Sequence, residues 1–344
     1  MLMLILLLNF VHFTIPKSVN ELKPSDINCF GVLGDSISAG FSLESHSIFR
    51  DLYEYRGKSF PIGGENGFRT IPNLFSNYNP TKKCAAYGST FITHSILQYP
   101  TGTYSGYKIF VKDNYELGNK INCNVAISGA LSNELMDMWI KLKVQWLKFS
   151  CYEDWKLLTI MIGANDICQY CLNGYNNTIE KYIFNLELLF QNIIKDTQYL
   201  FINVVSVFDV GLTDDWQNKG CEFVHNLINE CPCILGRDKS GNYREIVKNL
   251  YRDINLRLYP LVEKYDGIGK LRNIKFVVQP ILEDFKIYNF SYLSSLDCFH
   301  PSEFGHELMA TILWNNMFLP PDKKIRSMPY MLPIHIPTDN EFLQ

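Results

Sequence analysis

Short apolar runs rich in β-branched residues recur along the chain. Each run is about five or six residues long and lacks the alternation of polar and apolar positions that marks a half-exposed strand. Continuous apolar runs of this length are typical of strands buried on both faces of a parallel sheet. Five runs predict such strands, at Cys29–Leu33, Cys123–Ile127, Leu157–Ile162, Tyr199–Val205 and Ile274–Val278.

Between these runs, apolar residues recur three or four positions apart, as they do on one face of an amphipathic helix. Leu135, Met138 and Leu142 illustrate this spacing. Four stretches predict helices for this reason: one begins after Gly129, and the others span 178–195, 244–262 and 302–314.

The alternation of strands and helices indicates an α/β fold, with a parallel sheet of about five strands covered by helices and joined by right-handed crossovers. Because no internal repeat or linker divides the pattern, we expect a single domain over residues 26–318. Residues 41–119, which are rich in Gly, Pro and Tyr, predict loop and short helix lying over the sheet. Loops of this length usually have a function.

The two ends of the chain differ from the predicted domain. Residues 1–15 are almost wholly apolar, but this run is shorter than the roughly 20 residues that a bilayer span requires. It therefore predicts a signal peptide over residues 1–16, with a buried N-terminal strand or an uncleaved anchor as the alternatives. Residues 319–344 contain five prolines and end in polar residues, which predicts a Pro-rich tail with neither a helix nor a lipid anchor.

The chain contains 10 cysteines. An even and high count favours disulfide pairing in an oxidising compartment. Cys168-x-x-Cys171 together with Cys231-Pro-Cys233 leaves a zinc site as the alternative, although the second spacing is one residue short of a usual zinc knuckle.

Two sequence triplets agree with export from the cell. Asn176 and Asn289 each begin an Asn-x-Thr or Asn-x-Ser triplet, which is the acceptor for N-glycosylation in the secretory pathway. With the apolar leader and the cysteines, they predict a secreted protein, located outside the cell or in the lumen of the secretory pathway.

The charges exclude one class of partner. The sequence has 32 Lys and Arg against 35 Asp and Glu, for a net charge of -3, and the basic residues do not cluster. Nucleic-acid binding requires a concentrated basic face, so we expect no nucleic-acid partner.

Segments with glycine and polar side chains follow three of the predicted strands, and a fourth lies beyond the last strand. They are Gly34–Gly40, Ser128–Ala130, Gly163–Asp166 and Asp297–His300. In an open parallel sheet, functional groups gather at the carboxyl ends of the strands. We therefore expect all four segments to meet at one edge of the sheet.

The residue types in these segments suit acyl transfer. A serine hydroxyl attacks an acyl carbon when a base removes its proton, and His300 is the candidate base for Ser36. Asp297, three residues earlier, would hold the imidazole in the required tautomer. The Ser36 and Gly129 backbone N–H groups and the Asn165 side-chain amide are the candidate oxyanion donors, each contributing about 3 kcal/mol.

Each segment alone has a simpler interpretation. Ser36 could cap a helix, His300 could mark the entry to one, and Asn165-Asp166 could form an Asx turn. Their joint occurrence in order along the chain favours a hydrolase. Neither Gly-x-Ser-x-Gly nor Gly-x-Gly-x-x-Gly surrounds Ser36, which argues against an α/β-hydrolase elbow and a dinucleotide site.

The four segments resemble the blocks of the SGNH, or GDSL, hydrolase superfamily. Further matches narrow the resemblance to animal phospholipase B proteins and together span roughly residues 26–317, which is most of the mature chain. They are Glu54-Tyr55-Arg56-Gly57, Ile62-Gly63-Gly64, Asp154-Trp155-Lys156, Gly163-Ala164-Asn165-Asp166-Ile167-Cys168, Cys231-Pro232-Cys233, Asp297-Cys298-Phe299-His300 and Trp314-Asn315-Asn316-Met317.

The resemblance implies a three-layer α/β/α, flavodoxin-like fold, with no metal and no cofactor. It implies that Ser36 is the nucleophile, that Gly129 and Asn165 are oxyanion donors, and that Asp297 and His300 complete the triad. Two positions depart from the family pattern, Ile37 where Leu is usual and Ala164 where Gly is usual, and neither changes the chemistry.

The resemblance also implies esterase action on glycerophospholipids and lysophospholipids. We expect a monomeric enzyme that contacts lipid surfaces transiently and works through an acyl-enzyme. The aromatic residues of 41–115 are the expected walls of an acyl groove, although such residues more often serve packing. A carbohydrate O-acetyl esterase and a non-catalytic lipid-binding protein are the alternatives.

Overall fold

The computed structural model describes most of the chain. The predicted signal peptide lies outside the part it describes. The described residues are 18–44, 53–91, 122–236, 238–239 and 241–344.

Strands and α-helices alternate through the described residues. The strands are β1 (Ile27–Gly34), β2 (Tyr53–Glu54), β3 (Thr90–Phe91), β4 (Trp155–Met161), β5 (Leu200–Val205) and β6 (Ile274–Gln279). The helices are α1 (Ser36–Ala39), α2 (Ile71–Phe75), α3 (Leu135–Lys148), α4 (Ala164–Cys168), α5 (Tyr170–Asn173), α6 (Tyr175–Asp196), α7 (Lys219–Ile228), α8 (Tyr243–Gly269) and α9 (Glu303–Asn316).

The main sheet is parallel and has the strand order β1-β4-β5-β6. All six residues of β5 are buried, and nearly all of β1 and β4 is buried as well. Burial of consecutive residues on a strand means that both faces of the sheet are covered. The predicted α/β fold with doubly covered strands is therefore confirmed.

Helices lie on both sides of this sheet, as β1 illustrates. The ring of Phe30 packs edge-on against Phe75 of α2, with 5.5 Å between ring centroids. The next residue, Gly31, faces the opposite way, because a Cβ there would lie about 3 Å from Trp146 and Leu142 of α3. Since successive side chains of a strand point to opposite faces, the fold has three layers.

The predicted strand at Cys123–Ile127 is not a regular strand. The segment lies beside β1, where the Val32 N–H donates to the Cys123 carbonyl at 3.1 Å, but only Val32 and Asn124 form a bridge. The backbone carbonyl of Asn124 accepts from the Arg56 guanidinium at 2.8 Å instead of continuing the ladder. The sheet of the described residues consequently has four strands where the sequence predicts about five.

The predicted helices are present, and the structure extends several of them. The stretch after Gly129 begins with a 3-10 turn and continues as α3, while α6 and α9 lie close to the predicted bounds. The longest, α8, runs past the predicted end at Val262. Tyr265, in this extension, packs against Phe190 and Phe276, and this apolar contact favours continuation of the helix.

The C-terminal residues 319–344 pack against the domain. The Trp314 indole N–H donates to the His335 carbonyl, and the Asn315 amide donates to the Pro333 carbonyl, both at 2.8 Å. Leu343 is fully buried, and its backbone N–H donates to the Leu22 carbonyl. The segment predicted as a tail thus covers one end of α9 and contacts the beginning of the described chain.

All ten cysteines form disulfides, which confirms the pairing interpretation. The zinc interpretation is wrong, because the four cysteines that suggested it are joined to each other in two bonds. The disulfides are Cys29–Cys151, Cys84–Cys123, Cys168–Cys231, Cys171–Cys233 and Cys221–Cys298.

Among the described residues, no helix combines the length and the apolar character that crossing a membrane requires.

The Cys29–Cys151 disulfide should contribute strongly to stability. It joins β1 to the residues after α3 across a sequence separation of 122, and closing so long a loop restricts the unfolded chain. We expect replacing both cysteines by alanine to lower the free energy of unfolding by about 3 to 5 kcal/mol, measured by chemical denaturation. The exposed Lys141→Ala substitution on α3 serves as control and should change this free energy by less than about 0.5 kcal/mol. An unchanged double variant would contradict the prediction.

Candidate active site

Ser36 lies at the carboxyl end of β1, as predicted, and is the first residue of α1. The residue before it, Asp35, caps this helix, because its carboxylate accepts from the Ile37 N–H at 3.1 Å. The capping role that was the simpler interpretation of Ser36 therefore belongs to Asp35, and the Ser36 hydroxyl is left for other contacts. Burial raises the pKa of Asp35 to about 7.

His300 brings its imidazole to Ser36 from the turn before α9. Its Nε2 lies 2.7 Å from the Ser36 hydroxyl oxygen, and its Nδ1 lies 2.8 Å from Asp297 Oδ2. The other oxygen of Asp297 accepts from the backbone N–H groups of Phe299 and His300, both at 3.0 Å. These two hydrogen bonds fix the Asp297 carboxylate inside its own turn, so that Oδ2 faces the His300 ring.

The electrostatics favour an ion pair between Asp297 and protonated His300. Burial opposes ionisation of Asp297, but the charge and hydrogen bond of His300 and two backbone N–H groups outweigh it and lower its pKa. Burial likewise opposes protonation of His300, but nearby negative charge raises its pKa above the usual histidine value. A buried imidazole that gains stability on protonation is suited to accept a proton from a serine.

The two other predicted segments lie together at the same edge of the sheet. The Asn165 side-chain amide donates to the Ala130 carbonyl at 3.0 Å. Asp166 accepts from both the backbone N–H and the hydroxyl of Ser132, at 3.0 and 2.7 Å. These contacts join the start of α4 to the segment containing Gly129, which has a φ of 79°. This left-handed conformation favours glycine, because a side chain would add strain.

A second glycine shapes the bend between β4 and α4. Gly163 has a φ of 122°, and a Cβ there would lie 2.5 Å from Val207 and 2.8 Å from Tyr182. Only glycine fits, and the close bend places Asn165 directly above the end of β4.

A buried charged network, absent from the predicted site, lies beneath these segments. Glu54 accepts from the Arg56 guanidinium at 2.6 Å and, through its other oxygen, from the Ser128 hydroxyl at 2.6 Å. Arg56 also donates to the carbonyl of Asn124, whose amide donates to the Ser38 carbonyl at 3.0 Å. The network therefore links the helix that starts with Ser36 to the residue before Gly129. In the sequence, Glu54 and Arg56 stood out only as part of the motif that resembles the family, and nothing indicated their contacts with the site.

Glu230 is a second carboxylate at His300 that the sequence reasoning missed. Its Oε1 lies 3.2 Å from His300 Nδ1, and its Oε2 lies 3.3 Å from His225 Nε2. Its only local signal is that it directly precedes Cys231-Pro-Cys233.

An apolar pocket is lined in part by the sequence neighbours of Ser36 and His300. It is formed partly by Ile37, which follows the serine, and by Phe299 and Pro301, which flank the histidine. Its other lining residues include Phe208, Leu212, Leu282, Phe285, Leu293 and Met309. Of the stretch 41–115, in which the acyl groove was expected, residues 41–44 and 53–91 are described, and none of these lines the pocket. From that stretch, Phe41 packs edge-on against the His300 ring, with 4.8 Å between ring centroids.

The two predicted glycosylation positions are accessible. Asn176 is exposed near the start of α6. Asn289 is also exposed, and its side-chain oxygen accepts from the Ser291 N–H at 2.9 Å.

Comparison with known proteins agrees with these features. The chain is similar to membrane-associated phospholipase B1 from mouse, 28% identical over 89% of this chain, and from rat, 29% identical over 91%. The human protein of the same name is 26% identical over 95% of this chain. The chain spans about a fifth of the length of these relatives, since the matches cover 20 to 22% of them. The model of the GDSL-like lipase/acylhydrolase family matches residues 30–313, and the chain therefore belongs to this family.

Proposed function

We propose that this protein is a secreted serine esterase that hydrolyses acyl esters of glycerophospholipids and lysophospholipids. The observation that carries the proposal is the buried hydrogen-bonded chain from the Ser36 hydroxyl through His300 to Asp297. Serine, histidine and aspartate in this order form the machinery of acyl transfer on several unrelated folds. Family membership supports the same chemistry.

The first half of the reaction would form an acyl-enzyme. The Ser36 oxygen attacks the ester carbonyl carbon while its proton passes to His300 Nε2, and Asp297 stabilises the resulting imidazolium. The tetrahedral intermediate collapses as the C–O bond to the alcohol breaks, and the imidazolium returns the proton to the departing oxygen. The lysophospholipid or glycerophospho-alcohol leaves, and the acyl group remains on Ser36.

Water completes the reaction by the same route. His300 takes a proton from water, the hydroxide attacks the acyl carbon, and the proton returns to Ser36 as the fatty acid leaves. In both halves, the backbone N–H groups of Ser36 and Gly129 and the amide of Asn165 are the proposed donors to the oxyanion. Donors held in place before the reaction stabilise the developing charge without reorganisation.

Three observations support a lipid substrate and secretion. The pocket formed partly by Ile37, Phe299 and Pro301 is lined mostly by apolar side chains, which suits an acyl chain. The relatives named phospholipase B1 support phospholipids as the ester class. Five disulfides are typical of proteins that mature in an oxidising compartment, as a secreted enzyme does.

Replacing the proposed nucleophile tests the function directly. Ser36→Ala should abolish fatty-acid release, because alanine has no hydroxyl to acylate, and it should leave the thermal unfolding temperature nearly unchanged. The assay uses a phospholipid labelled differently in its two acyl chains, a lysophospholipid and an acetylated sugar. Ser25→Ala, at an exposed position, is the control and should remain fully active. Turnover of the acetylated sugar alone, or an active Ser36→Ala variant, would overturn the proposal.

The contact between Ser128 and Glu54 should matter for catalysis more than for binding. Ser128→Ala removes the hydroxyl that joins the buried charged network to the residue before Gly129. A small displacement of an oxyanion donor weakens stabilisation of the transition state. We therefore expect kcat to fall about ten- to a hundredfold with little change in KM. Steady-state kinetics on a lysophospholipid measures both constants. Equal kcat values for this variant and Ser25→Ala would refute the role.

Filling the pocket should change the preferred chain length. Leu212→Trp adds volume to the pocket wall, so the ratio of kcat/KM for a long-chain ester to that for a short-chain ester should fall at least about tenfold. The matched control is Leu256→Trp, because Leu256 is exposed on α8. A preference that changes equally in both variants would show that the pocket does not hold the acyl chain.

A further inference from the structure

Glu230 is held in place from both sides. Its backbone N–H donates to the His225 carbonyl at the end of α7, at 3.1 Å. The next residue, Cys231, is bonded to Cys168 at the end of α4. A third tie, the Cys221–Cys298 disulfide, joins α7 to the turn that contains Asp297 and His300. The position of the Glu230 carboxylate relative to His300 is therefore set by covalent cross-links on either side.

The contacts of this carboxylate lead to the triad by two routes. Oε1 faces His300 Nδ1 directly at 3.2 Å, beside Asp297 Oδ2 at 2.8 Å. Oε2 faces His225 Nε2 at 3.3 Å, and the same nitrogen lies 2.5 Å from the Asp297 carbonyl oxygen. Since both neighbours of His225 Nε2 are acceptors, this nitrogen carries a proton and donates it. The hydrogen bond of His225 Nε2 goes to the Asp297 carbonyl, and Glu230 Oε2 lies beside the same nitrogen without a hydrogen-bond partner of its own.

Two carboxylates therefore lie within 3.2 Å of one ring nitrogen in a buried site. The Glu230 side chain is 8% exposed, and those of Asp297 and His300 are 0% and 4% exposed. At this depth, each negative charge near the imidazole stabilises its protonated form more strongly than it would at the surface. Burial, and next the charge of Asp297, raise the pKa of Glu230, while His300 and His225 oppose this shift.

Among the described residues, Glu230 and Asp297 are the carboxylates that form an ion-pair contact with a ring nitrogen of His300. Ser36 is neutral, and Phe41 and Phe299 meet the ring with their own rings. His306 and Asp35 interact with His300 electrostatically. Burial and the charge of His300 lower the pKa of His306 to about 3, so His306 is neutral. Asp35 is engaged with the Ile37 N–H.

We propose that Glu230 is a second carboxylate for His300, sharing the Nδ1–H with Asp297 and stabilising the imidazolium that forms when Ser36 gives up its proton. The inference rests on the proposed function, because it assigns Glu230 a part in the same proton transfer. The proton moves from the Ser36 oxygen to His300 Nε2, while the Nδ1 proton stays on the ring. Glu230 exchanges no proton and forms no covalent bond, so it is a positioning residue that acts through His300.

The test is the pH dependence of Glu230→Gln. Glutamine keeps the shape and removes the charge, so the pKa of His300 should fall. The acidic limb of kcat/KM, below which protonated His300 cannot act as a base, should therefore move to lower pH by about one unit or more. The weaker base should also lower kcat on the plateau about tenfold. Glu230→Asp, which keeps the charge, should leave the limb near its wild-type position.

Controls separate this role from a structural one. Glu222→Gln changes an exposed carboxylate on α7, the helix that precedes Glu230, and should reproduce the wild-type profile. Labelling by a serine-directed phosphonate counts the folded active sites, so kcat is expressed per labelled protein. A Glu230→Gln variant that loses labelled sites but keeps the wild-type limb would overturn the inference.

A second measurement does not require turnover. NMR titration of the His300 ring in the Ser36→Ala background should give a lower pKa when Glu230→Gln is added, and equal pKa values would overturn the inference. If the wild-type protein hydrolyses none of the esters, the proposed function fails instead. The titration then decides separately whether Glu230 controls the protonation of His300.

Discussion

The hydrogen bond between the Ser36 hydroxyl and His300 Nε2 is the contact on which the site depends. It joins residues 264 positions apart, at 2.7 Å, and both side chains are buried. A hydrogen bond of this kind forms only if the end of β1 and the turn before α9 are held in a fixed relation. Much of the surrounding structure serves that relation.

Local contacts orient each partner before the two meet. Asp35 caps the short helix that starts with Ser36, and Asp297 accepts from two backbone N–H groups of its own turn. Neither carboxylate is free to turn elsewhere, because an unpaired buried acceptor is costly. The serine and the imidazole thus enter the site with few accessible orientations, which reduces the reorganisation needed for reaction.

Buried charge is the unusual feature of this site. Arg56 and Glu54 are almost fully buried, and two carboxylates face His300 Nδ1. Burying an ion pair is costly and gives little stability by itself, so its value lies elsewhere. In this protein, the charges of Arg56 and Glu54 hold backbone segments in fixed positions, and cross-linking by disulfides limits the ways in which these segments could relax.

The sequence by itself determined the fold class and indicated the residues of the proposed triad. Apolar runs predicted β1, β4, β5 and β6, because a strand that is buried on both faces requires apolar residues at consecutive positions. The motif at Asp297–His300 placed a carboxylate and an imidazole three residues apart, and that local spacing survives in the turn. The role of Ser36 could be inferred because its segment follows a strand end, where parallel sheets gather functional groups.

Only the tertiary structure decided which other groups reach the site. The segment at Cys123–Ile127 has a strand composition, but Arg56 takes the carbonyl of Asn124, and no local pattern reveals that contact. Glu230 reaches His300 from a different loop, which disulfides hold in place. The sequence alone did not determine which cysteines form these disulfides. Periodicity reports burial within one element, whereas a shared proton or a buried ion pair depends on distances between elements, which the order of residues does not encode locally.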